Sequence, residues 1–385
     1  MKTLHNLPSF MKNVIIRVDW NVPTQNEKVL DNSRIIETIP TITHLLNMGK
    51  HVTILTHLGR PKAKYQNEFS LKPLVAEVEE LLQQKIHFIE DLNVLGNQWI
   101  SPVSLLENIR FFPGEETNDS TFVQQLVKGA DVFVNDAFSV SHRAHASVEG
   151  ITHALPHYSG LLMEKELKHL LHFHENYQEP LMTICGGAKI STKINFIHNM
   201  MKKAKTIALV GGLANTFLKA KGINVGLSLV EDESLELALQ ILDNAEKEGC
   251  QLWLPNYVRV GKTLADSPID KHVTDIQLDE RILDIAPQSW ECLIKTCTTA
   301  KTIIWNGALG VFEYPQWSEG TFAVAQELAK LTQQNQIQTL AGGGETVMAL
   351  RQTNTFNKFT YVSLAGGAFM EFMEGQKLPG IVPLL

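Results

Sequence analysis

The sequence is poor in cysteine and has no long apolar run. It contains four cysteines in 385 residues, and no two of them form a C-x-x-C pair, so neither a zinc site nor a redox dithiol is indicated. Scattered cysteines in a chain of this length are typical of reduced thiols in the cytoplasm. Residues 1–11 are too polar for a signal peptide, and no segment is apolar over the length of a membrane span. We therefore expect a cytoplasmic protein that has no membrane partner.

A strong charge of one sign is also missing. The net charge is −7 at pH 7, and the chain is 44% hydrophobic and 19% charged, which is the composition of an ordinary globular protein. This balance argues against nucleic acid as a partner. The sequence has no fixed-period repeat and no low-complexity segment, and its length favours two domains.

Three common nucleotide-binding signatures are absent as well. There is no G-x-x-x-x-G-K-[ST] motif, which excludes a P-loop NTPase. The segment closest to G-x-G-x-x-G begins at Gly342, but its last position is Val347, which weakens a dinucleotide-binding interpretation. The H-R-D and D-F-G motifs of protein kinases do not occur. Any phosphate site in this chain must therefore be built in another way.

The first half of the sequence alternates predicted strands and helices. Apolar runs at 14–18, 51–55 and 131–134 have strand character, and helices are predicted at 33–48 and 122–128. Strands and helices in this rhythm predict a mostly parallel sheet that is covered on both faces. Ligands bind such sheets at the carboxyl ends of the strands.

Basic side chains are concentrated after these strand ends. Four arginines in one cleft would repel each other unless a multiply charged anion neutralised them, and arginine is well shaped to bind phosphate or carboxylate. A lone arginine or histidine is more often a solvated surface residue, so the argument depends on several of them converging. Asp19 and Asn21 are either turn residues or, beside a basic cleft, ligands for a hydroxyl group. The basic candidates are Arg34, His57, Arg60, Arg110, His142, Arg143 and His145.

The second half repeats an apolar strand that leads into glycine. A predicted helix at 159–173, with one apolar stripe, separates the two halves and is the expected domain boundary. Backbone amides at glycine-rich strand ends can face phosphates, and a succession of five such ends exceeds what turn chemistry alone would produce. The five predicted strands lie at 181–185, 206–210, 302–305, 338–341 and 359–363.

The stretch 185–193 combines one of these strand ends with two lysines. Gly186 and Gly187 allow a ligand to come close to the backbone, and a helix that begins just after them would offer unpaired N–H groups to an anion. Lys189 and Lys193 are four residues apart, so on a helix their ammonium groups would lie on the same side. The combination predicts a polyphosphate site. The alternative is a tight turn with two solvated lysines.

A series of short motifs follows one another along the chain in a recognisable order. They are R-V-D-W-N-V-P at 17–23, H-L-G-R-P at 57–61, E-N-I-R-F at 107–111, N-D-A-F at 135–138, H-R-A-H at 142–145, G-G-A-K at 186–189, A-N-T-F at 214–217, W-N-G at 305–307, G-V-F-E at 310–313 and G-G-G at 342–344. In this order they resemble the phosphoglycerate kinase family along nearly the whole chain.

The resemblance implies an α/β fold with two domains. Both would be doubly wound, Rossmann-like parallel-sheet domains that face each other across a cleft and are joined by a helix. Residues 1–165 and the tail 371–385 would form the domain for 3-phosphoglycerate, with the tail packed back on it. Residues 166–370 would form the nucleotide-binding domain.

The resemblance also implies the site residues. Arg34 and Lys193 are the candidate catalytic residues, which would neutralise charge on the moving phosphoryl group. Glu313 would bind the ribose hydroxyls, and Glu345 would bind the metal. The implied 3-phosphoglycerate ligands are Asp19, Asn21, Arg34, His57, Gly59, Arg60, Arg110 and Arg143. The implied nucleotide ligands are Gly186, Lys189, Lys193, Asn306, Glu313, Gly343, Gly344, Glu345 and Thr346.

The implied reaction moves the acyl phosphate of 1,3-bisphosphoglycerate to Mg-ADP and gives 3-phosphoglycerate and Mg-ATP, so Mg²⁺ accompanies the nucleotide. In the reverse direction the nucleophile is a carboxylate, which is already ionised at neutral pH and needs no general base. Catalysis then depends on alignment and on electrostatic stabilisation. Because the two substrates bind to different domains, the cleft is expected to close about a hinge. The protein is expected to act as a monomer.

The sequence departs from the family pattern at several positions. Glu345 stands where the family has an aspartate near the metal, and Ala308 stands where the family has a proline. Leu364 and Ala365 replace a threonine and a glycine. These changes leave open a family member that binds nucleotide but turns over slowly. A dinucleotide-dependent oxidoreductase is the other alternative, and the missing glycine fingerprint argues against it.

Overall fold

A computed structural model of the chain describes residues 1–25, 28–97, 99 and 101–385. The chain divides into two compact units. The first consists of Met1–Lys168 and Lys377–Leu385, and the second of His169–Gln376. Each unit contains one six-stranded parallel sheet.

The strands of the first unit follow an order that differs from the chain order. They are β1 (Asn13–Arg17), β2 (Thr24–Gln25), β3 (Lys28–Val29), β4 (His51–Leu55), β5 (His87–Ile89), β6 (Val103–Leu106), β7 (Val132–Asn135) and β8 (His157–Ser159). β2 and β3 form a short antiparallel pair. The other six form the parallel sheet in the order β5-β6-β4-β1-β7-β8.

The central strands of this sheet are buried on both faces. In β1, Val14 and Ile16 belong to one apolar cluster, which includes Ile35. The residue between them, Ile15, belongs to a second cluster, which includes Phe122. Alternate residues of a strand point to opposite faces, so both faces are covered. This double burial explains the unbroken apolar runs in the sequence.

Helices supply the cover on both faces. They are α1 (Ser33–Asn47), α2 (Val75–Leu82), α3 (Ser120–Leu126) and α4 (Ile151–Ala154). A fifth helix, α5 (Leu161–Glu175), begins in the first unit and ends in the second. The end of α1 is set by Gly49, which has a φ of +69°. This left-handed residue lets the N–H of Lys50 return to the carbonyl of Leu45 at 3.2 Å and so satisfies the end of the helix.

The C-terminal segment Lys377–Leu385 lies in the first unit. Leu378 and Leu384 are buried. The N–H of Gly380 donates to the carbonyl of Ser141 at 2.8 Å, and the N–H of Lys2 donates to the carbonyl of Leu384 at 3.0 Å. Both ends of the chain are therefore held in the same unit.

The second unit combines a parallel sheet with a smaller antiparallel one. Its strands are β9 (Leu181–Cys185), β10 (Thr206–Leu209), β11 (Gln251–Trp253), β12 (Tyr257–Gly261), β13 (Ile269–His272), β14 (Arg281–Ile285), β15 (Thr302–Asn306), β16 (Gln338–Gly342) and β17 (Tyr361–Ser363). The parallel sheet has the order β11-β10-β9-β15-β16-β17, and the antiparallel sheet has the order β13-β12-β14.

Three helices of the second unit begin within a few residues of a strand end. α7 follows β10, α11 follows β16 and α12 follows β17. The helices of this unit are α6 (Ile194–Met201), α7 (Gly211–Ala220), α8 (Leu235–Lys247), α9 (Pro287–Cys297), α10 (Glu319–Gln333), α11 (Gly344–Gln352) and α12 (Gly367–Met373). The first turns of α7, α11 and α12 therefore lie at the carboxyl edge of the parallel sheet.

The α/β class with two parallel sheets is confirmed, and so are the predicted strands and helices outside residues 186–193. β4 and β9 coincide with the predicted strands 51–55 and 181–185, and α5 corresponds to the helix predicted at 159–173. The pattern does not predict β12 to β14, because charged residues interrupt their short apolar runs. Within the described ranges, no helix combines the length and the apolar composition that a membrane crossing requires.

Candidate active site

Four neighbouring strands bring the candidate anion ligands of the first unit to one edge. In the order β6-β4-β1-β7, all strands are parallel. The register pairs Arg17 at the end of β1 with Leu55 at the end of β4 and with Asn135 at the end of β7. The segments that follow these strands therefore begin at the same level. They are 107–111, 56–61, 18–21 and 136–145.

Asp19 is the centre of a hydrogen-bond network at this edge. Its Oδ2 accepts hydrogen bonds from the guanidinium of Arg34 and from the hydroxyl of Ser139. Its Oδ1 accepts the backbone N–H of Asn21 at 3.1 Å and lies 3.7 Å from Nδ1 of His57. The Arg34 side chain remains 35% exposed. Asp19 therefore fixes Arg34 in a position that a ligand can reach.

A turn after β4 connects Asn21 to Arg110. The N–H of Gly59 donates to Oδ1 of Asn21 at 2.9 Å, and the carbonyl of Gly59 accepts from Nη1 of Arg110 at 2.6 Å. Gly59 has a φ of +62°, and a Cβ there would lie 2.3 Å from the ring of Phe69. The turn therefore requires glycine at this position.

Arg110 is a buried cation with an unused donor. The residue is 2% exposed, and its Nη2 has no hydrogen-bond partner among the described residues. Its Nε lies 3.6 Å from the Glu116 carboxylate. Burial, followed by the charges of Arg143 and Arg17, lowers the pKa of Arg110 to about 10. A buried guanidinium with a free donor is stabilised when an anion binds to it. This is the clearest indication of an anion site in the first unit.

The contact with Arg17 sets the tautomer of His57. Nη2 of Arg17 lies 3.1 Å from Nδ1 of His57. A guanidinium has no acceptor, so Nδ1 must accept the hydrogen bond and the ring proton must lie on Nε2. Burial, together with the positive charges of Arg17, Arg110, Arg143 and Arg34, lowers the pKa of His57 well below its usual value. His57 is therefore a neutral donor at neutral pH.

Arg17, Ser147 and Glu115 form a network whose members are not among the sequence-based candidates. Nε of Arg17 donates to Oγ of Ser147 at 2.9 Å, and the same hydroxyl donates to Glu115 at 2.7 Å. The Glu115 carboxylate also lies 3.6 Å from Nδ1 of His145. All of this network except His145 is buried. An arginine at the end of an apolar strand gives no sign in the sequence that its side chain turns inward.

The remaining basic candidates are less enclosed. Nε of Arg143 donates to Nε2 of His142 at 3.3 Å, and the charge of Arg143 lowers the pKa of both His57 and Arg110. Burial lowers the pKa of His142 to about 4, so this ring is neutral as well. Arg60 is exposed and takes part in none of these hydrogen bonds.

The five glycine-tipped strands of the second unit are neighbours in one sheet. β10, β9, β15, β16 and β17 are consecutive and parallel, so their glycine ends lie at one edge. Two of these ends touch through their backbones. A Cβ on Gly186 would lie 2.2 Å from the carbonyl oxygen of Ala308, and a Cβ on Gly307 would lie 2.4 Å from the backbone of Gly186.

A cavity of about 600 Å³ lies beside this edge. Its walls combine the backbone of the glycine segments with apolar side chains, which include Leu229, Leu309 and Phe312. Glu313 and Glu345 also line it, and both are exposed. A cavity of this size and composition suits a ligand with an apolar ring and a few polar groups.

The side chains of Asn306 and Thr346 are engaged inside the protein. Nδ2 of Asn306 donates to the carbonyl of Gly342 at 2.7 Å, and the N–H of Gly307 donates to Oγ1 of Thr346 at 2.7 Å. Both residues are buried. Their side chains therefore fix the glycine ends of β15 and β16, and the contact surface left to a ligand is backbone.

The start of α11 supplies that backbone. Gly343 has a φ of +93°, and a Cβ there would lie 2.5 Å from Nδ2 of Asn306. At Gly344, by contrast, an added Cβ would meet no atom within 4 Å, so the first residue of α11 is open. In the described part of the chain no side chain caps this helix start. Its first N–H groups are therefore available to an anion.

The two lysines of 185–193 do not share a helix, so that expectation is wrong. α6 begins only at Ile194, and the N–H of Lys193 donates to the carbonyl of Ile190 at 2.8 Å in a preceding turn. Lys189 is exposed, whereas Lys193 is partly buried. A Cβ on Gly187 would lie 3.5 Å from Cε of Lys193, so this side chain folds back over the end of β9.

Lys193 is also electrostatically linked to the cavity wall. Burial lowers the pKa of the Lys193 ammonium, and the carboxylates of Glu345 and Glu374 oppose that shift. Lys193 and Glu345 are therefore close enough to interact electrostatically.

Glu345 could act as a metal ligand only together with a bound substrate. Among the described residues, no group of three or more His, Cys, Asp and Glu side chains could hold a metal ion. Mg²⁺ that arrives with a nucleotide needs only one or two carboxylates, because phosphate oxygens and water complete its octahedron. Glu345 is exposed, lines the cavity and lies in the first turn of α11, which fits that requirement.

Comparisons with known sequences agree on one family. The family model described as phosphoglycerate kinase matches residues 4–376. A relative from Rhizobium meliloti named phosphoglycerate kinase is 43% identical over 390 residues, which cover 99% of this chain and 98% of the relative. A phosphoglycerate kinase from Novosphingobium aromaticivorans is 41% identical over 390 residues, which cover 100% of this chain and 99% of the relative.

Solved structures give the same result. A structure of phosphoglycerate kinase from Coxiella burnetii superposes with a TM-score of 0.90 at 37% identity and covers 99% of this chain and 98% of that one. The phosphoglycerate kinase of Pyrococcus horikoshii superposes with a TM-score of 0.83 at 26% identity and covers 100% of this chain and 98% of that one.

Proposed function

The chain belongs to the phosphoglycerate kinase family, and on that premise we propose how its two units divide the reaction. The family consists of phosphotransferases that interconvert 1,3-bisphosphoglycerate and 3-phosphoglycerate with ADP and ATP in glycolysis. The first unit holds the phosphoglycerate and the second holds the nucleotide. The observation that carries this assignment is the buried guanidinium of Arg110 with its unused donor, which suits an anion in the first unit.

The first unit binds phosphoglycerate through groups of different charge. Arg110 and Arg143 bind the anionic groups, and exposed Arg60 adds to the field at the edge. Asp19 and Asn21 bind the hydroxyl group. His57 donates from Nε2 as a neutral ring, which allows it to bind an oxygen without adding another positive charge to an already basic edge.

The second unit binds the nucleotide along its glycine edge. The base lies against the apolar wall of the cavity, and Glu313 binds the ribose hydroxyls. The phosphates lie at the start of α11, where Gly343 and Gly344 allow close approach. Lys193 and Lys189 neutralise them, with further backbone contacts at Gly186, Asn306 and Thr346. Glu345 would bind the Mg²⁺ that accompanies the nucleotide.

The chemistry needs no acid or base from the protein. In ATP synthesis a terminal phosphate oxygen of ADP attacks the acyl phosphorus, the bond between phosphorus and the acyl oxygen breaks, and the electron pair leaves with the carboxylate of 3-phosphoglycerate. Both oxygens are ionised at neutral pH, so no proton is transferred. Arg34 and Lys193 stabilise the charge on the equatorial oxygens of the moving phosphoryl group.

Hinge closure is part of this proposal. Each substrate is assigned to a different unit, and transfer requires the reacting atoms to approach within about 3–3.5 Å in line. Once both substrates are bound, the two units must therefore move towards each other. That movement also excludes water from the acyl phosphate.

We also propose that the protein works as a cytoplasmic monomer. All four cysteines lie within the described ranges and are free thiols, which suits a reducing compartment. The two half-sites assigned above belong to one chain, which supports function without a partner subunit. Light scattering at assay concentration tests the oligomeric state directly.

The decisive experiment is a coupled assay of ATP formation with the purified protein. We expect turnover that requires 1,3-bisphosphoglycerate, ADP and Mg²⁺ together. Arg110→Met should raise the KM for the phosphoglycerate and leave the affinity for ADP unchanged, because it removes the buried donor from one unit only. Lys12→Met, which removes an exposed cation from the same unit, is the matched control.

Two outcomes would favour the alternatives. Tight ADP binding with very slow turnover would favour a weakened family member, for which the changes at Leu364 and Glu345 are the specific motivation. Binding of NADH in preference to ADP would favour an oxidoreductase instead.

A further inference from the structure

The loop between β9 and α6 carries two lysines but has little regular structure of its own. It extends from Gly186 to Lys193, and within it the hydroxyl of Thr192 donates to the carbonyl of Lys189 at 3.0 Å. Ile190 is fully buried and anchors the loop from below. These local contacts alone leave a short chain segment that could adopt other conformations.

A carboxylate from a distant segment fixes this loop. Oε2 of Glu231 accepts the backbone N–H of Ser191 at 3.0 Å, and Oε1 accepts the hydroxyl of Ser191 at 2.5 Å. Glu231 is 7% exposed, whereas Ser191 is exposed. The carboxylate therefore lies under the loop and holds it by two hydrogen bonds to one residue.

Glu231 is itself held from behind. Its backbone N–H donates to Oγ1 of Thr216 at 3.2 Å, and Thr216 is a buried residue of α7. The N–H of Leu213, also in α7, donates to the carbonyl of Gly187 at 2.7 Å. α7 is thus attached to both ends of the loop, directly at Gly187 and through Glu231 at Ser191.

The charge on Glu231 is balanced by hydrogen-bond donors. Burial raises the pKa of this carboxyl, but hydrogen bonds from Ser191, from the hydroxyl of Ser234 and from the N–H of Ile190 lower it by more. The pKa is therefore below its usual value. Glu231 is therefore ionised at neutral pH. A negative charge close to a phosphate site is unfavourable for phosphate binding by electrostatics alone, so a structural reason for its presence is required.

We propose that Glu231 is a positioning residue for the nucleotide phosphates, which holds the loop 186–193 in the conformation that directs Lys189 and Lys193 at them. The inference rests on the proposed function, because it assumes that the phosphates bind at this loop. Without the anchor, the loop and its two long side chains must be ordered when the ligand binds, and that conformational entropy is subtracted from the binding free energy.

This role predicts an effect on phosphates and not on the rest of the nucleotide. Adenosine has no phosphates, so its affinity for the cavity does not depend on the loop. The sign also separates positioning from electrostatics. Removing a negative charge should tighten ADP binding if only the charge matters, whereas losing the anchor should weaken it.

The test compares ADP and adenosine binding to Glu231→Ala by isothermal titration calorimetry. We expect the Kd for ADP to rise about 10- to 100-fold, on the scale of one or two hydrogen bonds to a charged group, with the Kd for adenosine unchanged within about twofold. Ser191→Ala removes the hydroxyl and keeps the backbone N–H, so it should shift the ADP affinity in the same direction by less. The variant with both substitutions should bind ADP no more weakly than Glu231→Ala, because the two substitutions act on the same contact between Glu231 and Ser191.

Glu233→Gln is the matched control for charge. Glu233 is exposed and lies two residues from Glu231, so its loss should leave ADP binding unchanged or slightly tighter. The melting temperature of each variant without ligand separates loop positioning from general unfolding.

Three results would count against the proposal. Equal weakening of ADP and adenosine, with a lower melting temperature, would reduce Glu231 to a residue of the fold. Unchanged ADP affinity in Glu231→Ala, with tight binding by the unaltered protein, would overturn the inference and leave the proposed function standing. Failure of the unaltered protein to bind ADP would overturn both.

Discussion

Arg34 and Arg143 lie at the same sheet edge but in different surroundings. Arg34 is held by the carboxylate of Asp19, which also accepts from Ser139. Arg143 contacts the neutral ring of His142 and adds its charge to the field around Arg110. A cation that is already paired with a carboxylate can shift its interaction to negative charge that develops in the transition state. A cation without such a partner attracts the substrate anion before the reaction begins.

The two arginines should therefore affect different kinetic constants. Arg34→Ala should lower kcat by roughly 10²–10³, the usual loss for one group that stabilises transition-state charge, with a smaller change in KM. Arg143→Ala should mainly raise the KM for the phosphoglycerate. Steady-state kinetics with the phosphoglycerate as the varied substrate separates the two, and the reverse pattern would mean that their roles are exchanged.

Glu345 poses a second question at the scale of single residues. An unpaired carboxylate beside phosphates repels them, and Mg²⁺ between the two groups removes the conflict. Glu345→Ala should therefore raise the Mg²⁺ concentration needed for half-maximal activity, while Glu345→Asp should stay active. A titration of activity with Mg²⁺ at saturating nucleotide measures this. If the alanine variant needs no more Mg²⁺ than the unaltered protein, Glu345 only favours the N-terminus of α11 as an acidic first-turn residue.

Among the elements, burial explains which predictions from the sequence hold. β4 and β9 are enclosed on both faces, so they form continuous apolar runs whose ends can be read from the sequence. The convergence of most candidate anion ligands of the first unit was predictable because they lie in segments that follow such ends, whereas Arg34 lies at the start of α1. The glycine edge was predictable for the same reason, since β9, β10 and β15 to β17 each lead into glycine.

Contacts between distant segments explain what the sequence cannot predict. The helix expected at Lys189 and Lys193 does not form, because Gly187 has a φ of +121° and Ser191 is bound by a carboxylate 40 positions away. The inward turn of Arg17 likewise depends on His57, also 40 positions away. Neither partner is marked by spacing, so these parts of the site require the structure.

A buried carboxyl directly after β7, which contacts the start of α5, should make stability depend on pH. Oδ1 of Asp136 accepts the N–H of Met163 at 2.9 Å, and the residue is 1% exposed. Burial raises the pKa of Asp136 from about 3.8 to about 7, and hydrogen bonds from Thr41, Met163 and Leu162 only partly oppose this. Between these two values the folded protein holds a proton that the unfolded chain has lost. Stability contributed by this group is therefore present at low pH and is lost as the pH rises towards 7.

Asp136→Asn should remove that dependence. The amide oxygen can still accept the N–H of Met163, but it does not ionise. The melting temperature of the unaltered protein should fall relative to the variant between about pH 5 and pH 7, with a slope of at most about 1.4 kcal/mol per pH unit in the free energy of unfolding. Burial raises the pKa of Asp284 in the second unit to about 7 as well, so Asp284→Asn should remove a separate contribution. If the melting temperatures of the unaltered protein and of the variants change with pH in the same way across this range, the raised pKa values of these carboxyls would be contradicted.

In the whole molecule, the two ends of the chain meet in the first unit, although the second unit is inserted between them in sequence. The N–H of Lys2 binds the carbonyl of Leu384, and the N–H of Ser159 binds the carbonyl of Lys2 at 2.8 Å. The tail also touches the segment that carries Arg143, because the N–H of Gly380 donates to the carbonyl of Ser141. The tail therefore supports both the stability of this unit and the loop of one of its candidate ligands.

Deleting residues 376–385 should lower the melting temperature and the activity together. Each buried leucine-sized side chain of the tail contributes about 1.5–3 kcal/mol on burial, and Leu378, Ile381 and Leu384 are all buried. A milder change tests the link to the substrate. Gly380→Ala would place a Cβ 2.7 Å from Val148 and 2.9 Å from Oγ of Ser141.

Because the Gly380→Ala substitution must push Ser141 and the loop that leads to Arg143, it should raise the KM for the phosphoglycerate more than it changes the Kd for ADP. A stable, fully active truncation would show that the tail is dispensable. Equal effects of Gly380→Ala on both ligands would show instead that the tail acts on the whole molecule and not through the Ser141 segment.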